Sequence, residues 1–351
     1  MWRIAALLPL PAELIERLFA PLGGGARIIV PASRDRAGQH AALAEADLAV
    51  GDFTGELSMD AAAVAAAPRL VFLQQPQVGV DSCDLDALTA AGVAVANTAG
   101  ANTRAVAEWA VGAAFALCRK LAWTDRRIRE GGWPQLEIRG RELHVQRVGI
   151  VGYGAIGAQT ARLFTALGCR VSYWSRTPKA DAVGPYLELD ELLATSDILV
   201  VTVALTPETA GLIGHERLAL LPPDALLVNV ARGGIVPDEA VLAALDSGRL
   251  AGAALDVFAQ EPLPPQHPLR SHEQVLLSPH TAGASVQAQA NIIGQVMSNL
   301  TAVLAGRPVE HVVNGLPPLI RQRSLPPSGR LRRPSRAVPE TGTRKRASPP
   351  Y

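Results

Sequence analysis

The order of short apolar runs along this chain places the tightest limit on its fold. Four such runs with β-branched content are predicted strands, at 26–30, 46–50, 69–73 and 93–96. Stretches rich in Ala and Leu, with apolar residues at helical spacing, lie between them. Because parallel strands have to be joined by crossover connections, this alternation predicts a parallel sheet covered by helices.

A second series of the same kind follows a predicted buried helix at 100–122 and a loop at 131–134. Its predicted strands lie at 147–151, 170–174, 197–203, 225–230, 251–255 and 274–277. Six strands at this spacing are typical of a doubly wound nucleotide-binding sheet. One more long helix is predicted at 285–306. The predicted fold class is therefore α/β, with two doubly wound parallel-sheet domains.

The composition fits a globular protein and argues against two kinds of partner. Hydrophobic residues make up 48% of the 351 residues, yet no apolar run approaches the roughly 20 residues of a membrane span. Residues 321–351 carry nine basic residues and one acidic residue, which leaves 24 basic against 31 acidic residues before them. An acidic body makes nucleic acid an unlikely main partner. We predict that 315–351, rich in Pro and Arg, is a disordered basic tail.

The cysteines indicate a reducing compartment. Cys83, Cys118 and Cys169 lie far apart, and none forms a C-x-x-C pair. The pattern therefore predicts reduced thiols in a cytoplasmic protein and no metal site.

A glycine-rich loop directly follows the predicted strand R-V-G-I-V and precedes a predicted helix. In it, Gly152 would permit a tight turn, Gly154 would let a pyrophosphate approach the backbone, and Gly157 would let helix and strand pack closely. The N–H groups of Ala155 and Ile156 begin the helix and would help to hold the anion. The sequence therefore predicts a dinucleotide site, and the alternative is a glycine-rich turn without a ligand.

The end of the next predicted strand bears on the choice of dinucleotide. NAD enzymes usually place an acidic residue there, to bind the ribose 2′-hydroxyl. This chain instead has Ser175, Arg176 and Thr177, followed by Lys179. A hydroxyl and two cations suit a 2′-phosphate, so the sequence favours NADP over NAD. Alternatively, Arg176 stacks on the adenine and both cofactors are accepted.

Three polar residues follow successive predicted strands of the second series. They are Arg232, Glu261 and His280. Ligands bind at the carboxyl ends of the strands in a doubly wound sheet, so the three residues predict one shared site. Arg232 would bind the carboxylate of a 2-keto acid, His280 would donate a proton to its oxygen, and Glu261 would orient His280. Each residue alone would more often be a solvated loop residue, a turn or a cap.

Ordered motifs between about Leu70 and Val312 resemble the D-isomer-specific 2-hydroxyacid dehydrogenase family. They are Q-V-G-V-D at 77–81, A-N-T-A-G-A-N-T-R-A-V-A-E at 96–108, G-Y-G-A-I-G, L-T-P-E-T-A-G-L-I-G at 205–214, V-N-V-A-R-G-G-I-V, A-A-L-D-V-F-A-Q-E-P-L-P and S-P-H-T-A-G. The resemblance implies catalytic roles for Arg232, Glu261 and His280, and a contact between Asp256 and the nicotinamide amide. Two departures are Thr202-Val203-Ala204, where His-x-Pro is common, and the missing ribose acid.

The resemblance also implies further contacts and a domain organisation. Substrate-binding residues would be Val78 and Gly79 with Arg232 and His280. Further cofactor contacts would come from Ala204, Val230, Ala231 and Gly283. A flavodoxin-like substrate domain (1–98 and 286–314) and a Rossmann cofactor domain (99–285) would enclose a cleft. Family members typically form homodimers through the cofactor domain.

The function predicted is hydride transfer between NAD(P)H and a small 2-keto or 2-hydroxy acid. The segment 74–77 offers no cation for a substrate phosphate, which favours an unphosphorylated acid such as glyoxylate or hydroxypyruvate. Phosphoglycerate dehydrogenase activity is one alternative. A dinucleotide-sensing, corepressor-like interaction protein is another, because the basic tail would support contacts with partners.

Overall fold

The computed structural model of the chain describes residues 1–323, and they contain two parallel sheets. The rest of the predicted basic tail, 324–351, lies outside the described residues. Every pairing between neighbouring strands of the two sheets is parallel, as the alternation of strands and helices predicted.

The first sheet has five strands in the order β2-β1-β3-β4-β5, the order of flavodoxin-like folds. The strands are β1 Trp2–Ala6, β2 Ala26–Ile29, β3 Leu48–Val50, β4 Phe72–Gln74 and β5 Ala94–Ala96. Its helices are α1 Ala12–Phe19, α2 Arg36–Glu45, α3 Ala61–Ala65 and α4 Leu85–Ala90. Strand β1 was not predicted, because W-R-I-A-A contains a single β-branched residue. Its place between two neighbours, and not its local propensity, makes it a strand.

The helix predicted at 100–122 is two helices in the structure. These are α5 Thr103–Cys118 and α6 Leu121–Arg129. Lys120 separates them with a φ of 53°, in the left-handed region that ends a helical run. The apolar periodicity runs through this point, so the sequence pattern alone gave no sign of the break.

The second sheet has six strands in the order β11-β10-β9-β8-β6-β7. The strands are β6 Arg147–Val151, β7 Arg170–Trp174, β8 Ile198–Val201, β9 Ala225–Asn229, β10 Leu250–Leu255 and β11 Val275–Leu277. Its helices are α7 Ala155–Ala166, α8 Leu189–Ala194, α9 His215–Leu218 and α10 Asp238–Asp246. The strand order reverses between β6 and β8, so the crevice of this doubly wound sheet opens just after β6.

The last helix, α11 Val286–Leu304, returns to the first sheet. Its residues Val296, Leu300 and Val303 are buried with Ile4 and Phe19 in the core on one face of that sheet. We call β1–β5 with α1–α4 and α11 the first domain, and β6–β11 with α5–α10 the second domain.

A buried asparagine on α11 fastens this helix to the first sheet. The Asn299 amide donates to Gln74 Oε1 (2.7 Å) and to the Glu310 carbonyl, and its oxygen accepts from the Glu310 N–H. Asn299 is 3% exposed, so these bonds satisfy polar groups that water does not reach.

The chain stays packed on the first domain beyond the predicted start of the tail at 315. Ile320 is buried in the core that receives α11, and the Val309 N–H donates to the Pro318 carbonyl (2.9 Å). The ordered chain therefore continues past residue 315, because a few apolar residues among the prolines find a hydrophobic surface to cover. Within the described residues, no helix is long and apolar enough to cross a membrane.

Candidate active site

Three predicted catalytic residues meet at the carboxyl edge of the second sheet. Arg232 follows β9, Glu261 follows β10 and His280 follows β11. These strands are neighbours, and parallel strands present their carboxyl ends at the same edge. The topology therefore brings together residues that lie far apart in the sequence.

The carboxylate of Asp256 holds the loop that carries His280. Its Oδ1 accepts from the Thr281 N–H (2.7 Å) and the Ser278 hydroxyl, and its Oδ2 accepts from the Ala282 N–H (2.8 Å). The His280 N–H donates to the Asp256 carbonyl (2.8 Å). These bonds hold His280 at a φ of 54°, a left-handed conformation that is costly for a residue with a side chain. Asp256 is 2% exposed and already bonded, so its contact with a nicotinamide stays a prediction.

The imidazole of His280 is paired with the carboxylate of Glu261. Nδ1 of His280 lies 2.8 Å from Glu261 Oε2, and Glu261 Oε1 accepts from the Phe258 N–H (2.9 Å). An ionised carboxylate can only accept, so Nδ1 carries the hydrogen. Nε2 has no protein partner within residues 1–323, and it is the ring nitrogen available to a substrate.

The surroundings of Glu261 favour its ionised form. Partial burial raises the pKa of this carboxyl, but the hydrogen bonds from His280 and Phe258 and the nearby charges of His280 and Arg232 outweigh burial. The net result is a lowered pKa. A carboxylate that stays charged favours the protonated form of a neighbouring imidazole. The pair can therefore store and deliver a proton.

Arg232 bridges the two domains. Its Nε and Nη2 both donate to Asp81 Oδ2 (2.9 and 2.8 Å), and its Nη1 donates to the Ala231 carbonyl (2.7 Å). A Cβ placed on Gly79 would lie 2.0 Å from Nη2 of Arg232. Only a glycine at position 79 lets the guanidinium lie this close to the backbone of the first domain.

The loop that contains Val78 and Gly79 has donors to spare. Asn97 fixes it by donating from Nδ2 to the Val78 carbonyl (2.7 Å), and the Thr98 N–H donates to the Gln77 carbonyl (2.9 Å). Among the described residues, neither the Val78 nor the Gly79 N–H has a protein acceptor. Two free N–H groups beside a guanidinium form a site that suits a carboxylate.

The glycine-rich loop has the shape that a bound pyrophosphate requires. Gly152 has a φ of 100°, and a Cβ on Gly157 would lie 1.9 Å from the Gly152 carbonyl oxygen. A Cβ on Gly154 would meet nothing within 4 Å, so this glycine faces open space. The first backbone bond of α7 runs from Ala158 to Gly154, which leaves the preceding N–H groups free for an anion. The residues present therefore fit a dinucleotide.

The segment after β7 is held by two tyrosine hydroxyls. The Lys179 N–H donates to Tyr173 Oη (2.8 Å), the Val183 N–H donates to Tyr153 Oη (2.7 Å), and the two rings lie 4.2 Å apart. Ser175 is 8% exposed, and its hydroxyl donates to the Thr177 carbonyl (2.7 Å). Arg176 is exposed, which leaves it the residue of this segment best placed to meet a ribose substituent.

The other predicted cofactor residues share this edge of the second sheet. Ala204 follows β8 and is exposed, whereas Val230 and Ala231 follow β9 and are buried. Gly283 follows β11, where a Cβ would lie 2.7 Å from Asn102 Nδ2. Residues 1–323 contain no group of three or more His, Cys, Asp or Glu side chains that could hold a metal ion.

Sequence reasoning assigned no role to Asp81, Tyr153 or Tyr173. Asp81 closes the motif Q-V-G-V-D, and an acidic residue beside a predicted carboxylate-binding loop was the signal that could have revealed it. The tyrosines gave no comparable signal, because their partners are backbone groups of a loop.

A nucleotide loop, a free arginine edge and a carboxylate–imidazole pair at one sheet edge define a nicotinamide-dependent dehydrogenase. A profile described as "D-isomer specific 2-hydroxyacid dehydrogenase, NAD binding domain" matches residues 111–282. A protein named glyoxylate reductase, from Thermofilum pendens, is 40% identical over 73% of this chain and 78% of its own length.

Two further comparisons point the same way. A D-3-phosphoglycerate dehydrogenase from Archaeoglobus fulgidus is 35% identical over 74% of this chain and 50% of its own length. The crystal structure of the holo D-mandelate dehydrogenase of Rhodotorula graminis, 26% identical, has a TM-score of 0.83 and covers 90% of this chain and 99% of its own. This chain belongs to the D-isomer-specific 2-hydroxyacid dehydrogenase family. It is an oxidoreductase that binds NAD(H) and acts on 2-keto or 2-hydroxy acids.

The pairing of Glu261 with His280 leads to a test by pH. In Glu261→Gln, the side chain keeps its size but loses the charge that favours a protonated imidazole. We expect the alkaline limit of 2-keto acid reduction to move to lower pH, with kcat at neutral pH lowered roughly tenfold or more. Steady-state pH profiles measure both effects, with Glu216→Gln on the exposed face of α9 as control. An unchanged profile would show that Glu261 does not act on His280.

Proposed function

We propose that this chain is a cytoplasmic reductase of small, unphosphorylated 2-keto acids, such as glyoxylate or hydroxypyruvate, and forms D-2-hydroxy acids with NADPH as the preferred cofactor. The observation that carries the proposal is the pairing of His280 with Glu261 beside Arg232 and the two free N–H groups of the Val78–Gly79 loop. The similarity to a protein named glyoxylate reductase supports the choice of substrate.

The residues divide the work of reduction between binding and proton transfer. Arg232 and the N–H groups of Val78 and Gly79 bind the substrate carboxylate, and Arg232 also polarises the neighbouring carbonyl. Bound NADPH supplies the hydride that reaches C2. His280 delivers a proton from Nε2 to the carbonyl oxygen, while Glu261 holds Nδ1 and stabilises the charged ring. Oxidation of the hydroxy acid uses neutral His280 as the base.

The first domain supports a substrate without a phosphate. Arg34 lies at the carboxyl ends of β1 and β3, where a distal substrate group would sit. Its guanidinium already donates to the Leu7 carbonyl (3.1 Å), to Asp52 (3.1 Å) and to Glu56 (3.0 Å). A cation that two carboxylates neutralise offers little attraction to a phosphate dianion. This pairing favours an uncharged substrate tail over that of a phosphoglycerate dehydrogenase.

Turnover with a panel of 2-keto acids tests the proposed reaction. We expect activity with glyoxylate and hydroxypyruvate that exceeds activity with 3-phosphohydroxypyruvate, and a loss of about 10²–10⁴-fold in kcat in His280→Ala. Cofactor affinity should stay within about twofold of the wild type, since His280 acts on the substrate. The matched control is His215→Ala, on α9. Cofactor binding without turnover of any 2-keto acid would favour a dinucleotide-sensing interaction protein, and a preference for the phosphorylated acid would favour phosphoglycerate dehydrogenase activity.

The preference for NADPH rests on the segment after β7. Arg176 is exposed there, no acidic residue follows the strand directly, and the tyrosine hydroxyls hold the backbone around it. In Arg176→Ala, we expect KM for NADPH to rise about tenfold or more and KM for NADH to change little, because only NADPH carries the 2′-phosphate. Arg170→Ala, at the opposite end of β7, is the control. A wild-type enzyme that prefers NADH would overturn the preference.

The proposed oligomer is a homodimer formed through the second domain. Five apolar side chains between residues 121 and 145 are more than 40% exposed: Leu121, Ile128, Trp133, Leu136 and Val145. Apolar side chains concentrated in one region of a surface commonly mark an interface. Light scattering should report twice the mass of one chain, and the double substitution Trp133→Asp/Leu136→Asp should halve it. A monomeric wild-type protein would exclude the proposal.

A further inference from the structure

The ion pair between Arg232 and Asp81 joins the two domains across the proposed substrate site. Asp81 lies in the first domain, in the loop that offers the N–H groups of Val78 and Gly79, whereas Arg232 follows β9 of the second domain. Nothing in the proposed reaction gives Asp81 a role, since Glu261 and His280 handle the proton and Arg232 handles the carboxylate. Its position beside the carboxylate-binding group is therefore unexplained.

Counting the donors of Arg232 shows what the ion pair leaves available. A guanidinium has five N–H donors. Asp81 Oδ2 takes one from Nε and one from Nη2, and the Ala231 carbonyl takes one from Nη1. The two donors that remain belong to Nη1 and Nη2, one on each nitrogen. Two parallel donors on these nitrogens are what a bidentate carboxylate requires.

The pairing also removes freedom that substrate binding would otherwise have to remove. A free arginine side chain has several rotatable bonds, and ordering it on binding costs affinity. Asp81 orders it in advance, and Gly79 lets Nη2 lie against the loop. Asp81 carries a negative charge that opposes a substrate anion, but its side chain is 49% exposed, so solvent screens that repulsion.

We propose that Asp81 is a positioning residue of this enzyme: it holds the guanidinium of Arg232 across the domain boundary so that the Nη1 and Nη2 donors face the carboxylate of the 2-keto acid. The proposal rests on the proposed role of Arg232. It assigns Asp81 an effect on substrate binding and none on cofactor binding or proton delivery.

Two variants of Asp81 separate the charge from the hydrogen bonds. Asp81→Ala removes both, whereas Asp81→Asn keeps an acceptor of the same size. We expect KM for glyoxylate, and the inhibition constant of oxamate as a carboxylate probe, to rise about tenfold or more in Asp81→Ala and less in Asp81→Asn. The dissociation constant of NADPH should stay within about twofold. The matched control is Asp86→Ala, which removes a nearby exposed charge on α4 with no side-chain partner among the described residues.

A combined variant provides a readout that a merely structural role would not move. If Asp81 acts through Arg232, Asp81→Ala should add almost nothing to the loss of oxamate affinity already caused by Arg232→Ala. Additive losses would overturn the proposal. So would a lower KM in Asp81→Ala, because it would show that Asp81 competes with the substrate for Arg232.

The controls keep this proposal distinct from the proposed function. Should Arg232→Ala leave KM and kcat unchanged, the proposed role of Arg232 itself fails. Should Arg232→Ala abolish turnover while both Asp81 variants bind oxamate like the wild type, only the role of Asp81 fails. Thermal unfolding and NADPH affinity check that each variant is folded, and Asp81→Asn remains decisive if Asp81→Ala does not fold.

Discussion

Both sheets contain only parallel pairings, and this constraint decides where the chain can do chemistry. Parallel strands end together, so the loops after them form one continuous border along each sheet. Asp81 and Arg232 are 151 residues apart in the sequence but meet because their loops face each other across the boundary between two such borders. The crevice after β6, where the strand order reverses, adds the start of α7 to the same region. Anion binding, carboxylate binding and proton transfer therefore share one cleft.

Within that cleft, buried carboxylates determine the geometry of the reacting groups. Asp256 is bonded through both oxygens to the loop around His280 and holds it in a conformation that the residue would not adopt on its own. Glu261 then fixes the ring through Nδ1. The imidazole is thus oriented at two levels, backbone and ring, before any ligand arrives. Such support is what keeps a proton donor within the narrow range of useful positions.

Much of the fold could be predicted from the sequence, and the reasons for the misses are physical. Both parallel sheets, the glycine-rich loop and α11 were visible as periodicity and spacing. Strand β1 and the break at Lys120 were not, because they depend on neighbouring strands and on one backbone angle. For the site, the meeting of Arg232, Glu261 and His280 at one edge followed from parallel topology. The contact of Asp81 with Arg232 depends on how two domains sit together, which no local pattern encodes.

The return of α11 to the first sheet has a consequence for the order in which the protein is made. The second domain is continuous in sequence, and its core residues lie between Val106 and Ala282. The first domain begins at β1 but needs Val296, Leu300 and Val303 of α11 to bury one face of its sheet. On the ribosome, the amino-terminal half of the enzyme therefore waits with exposed apolar surface until almost the last described residue has emerged. The usual order, in which the first-synthesised domain folds first, is reversed here.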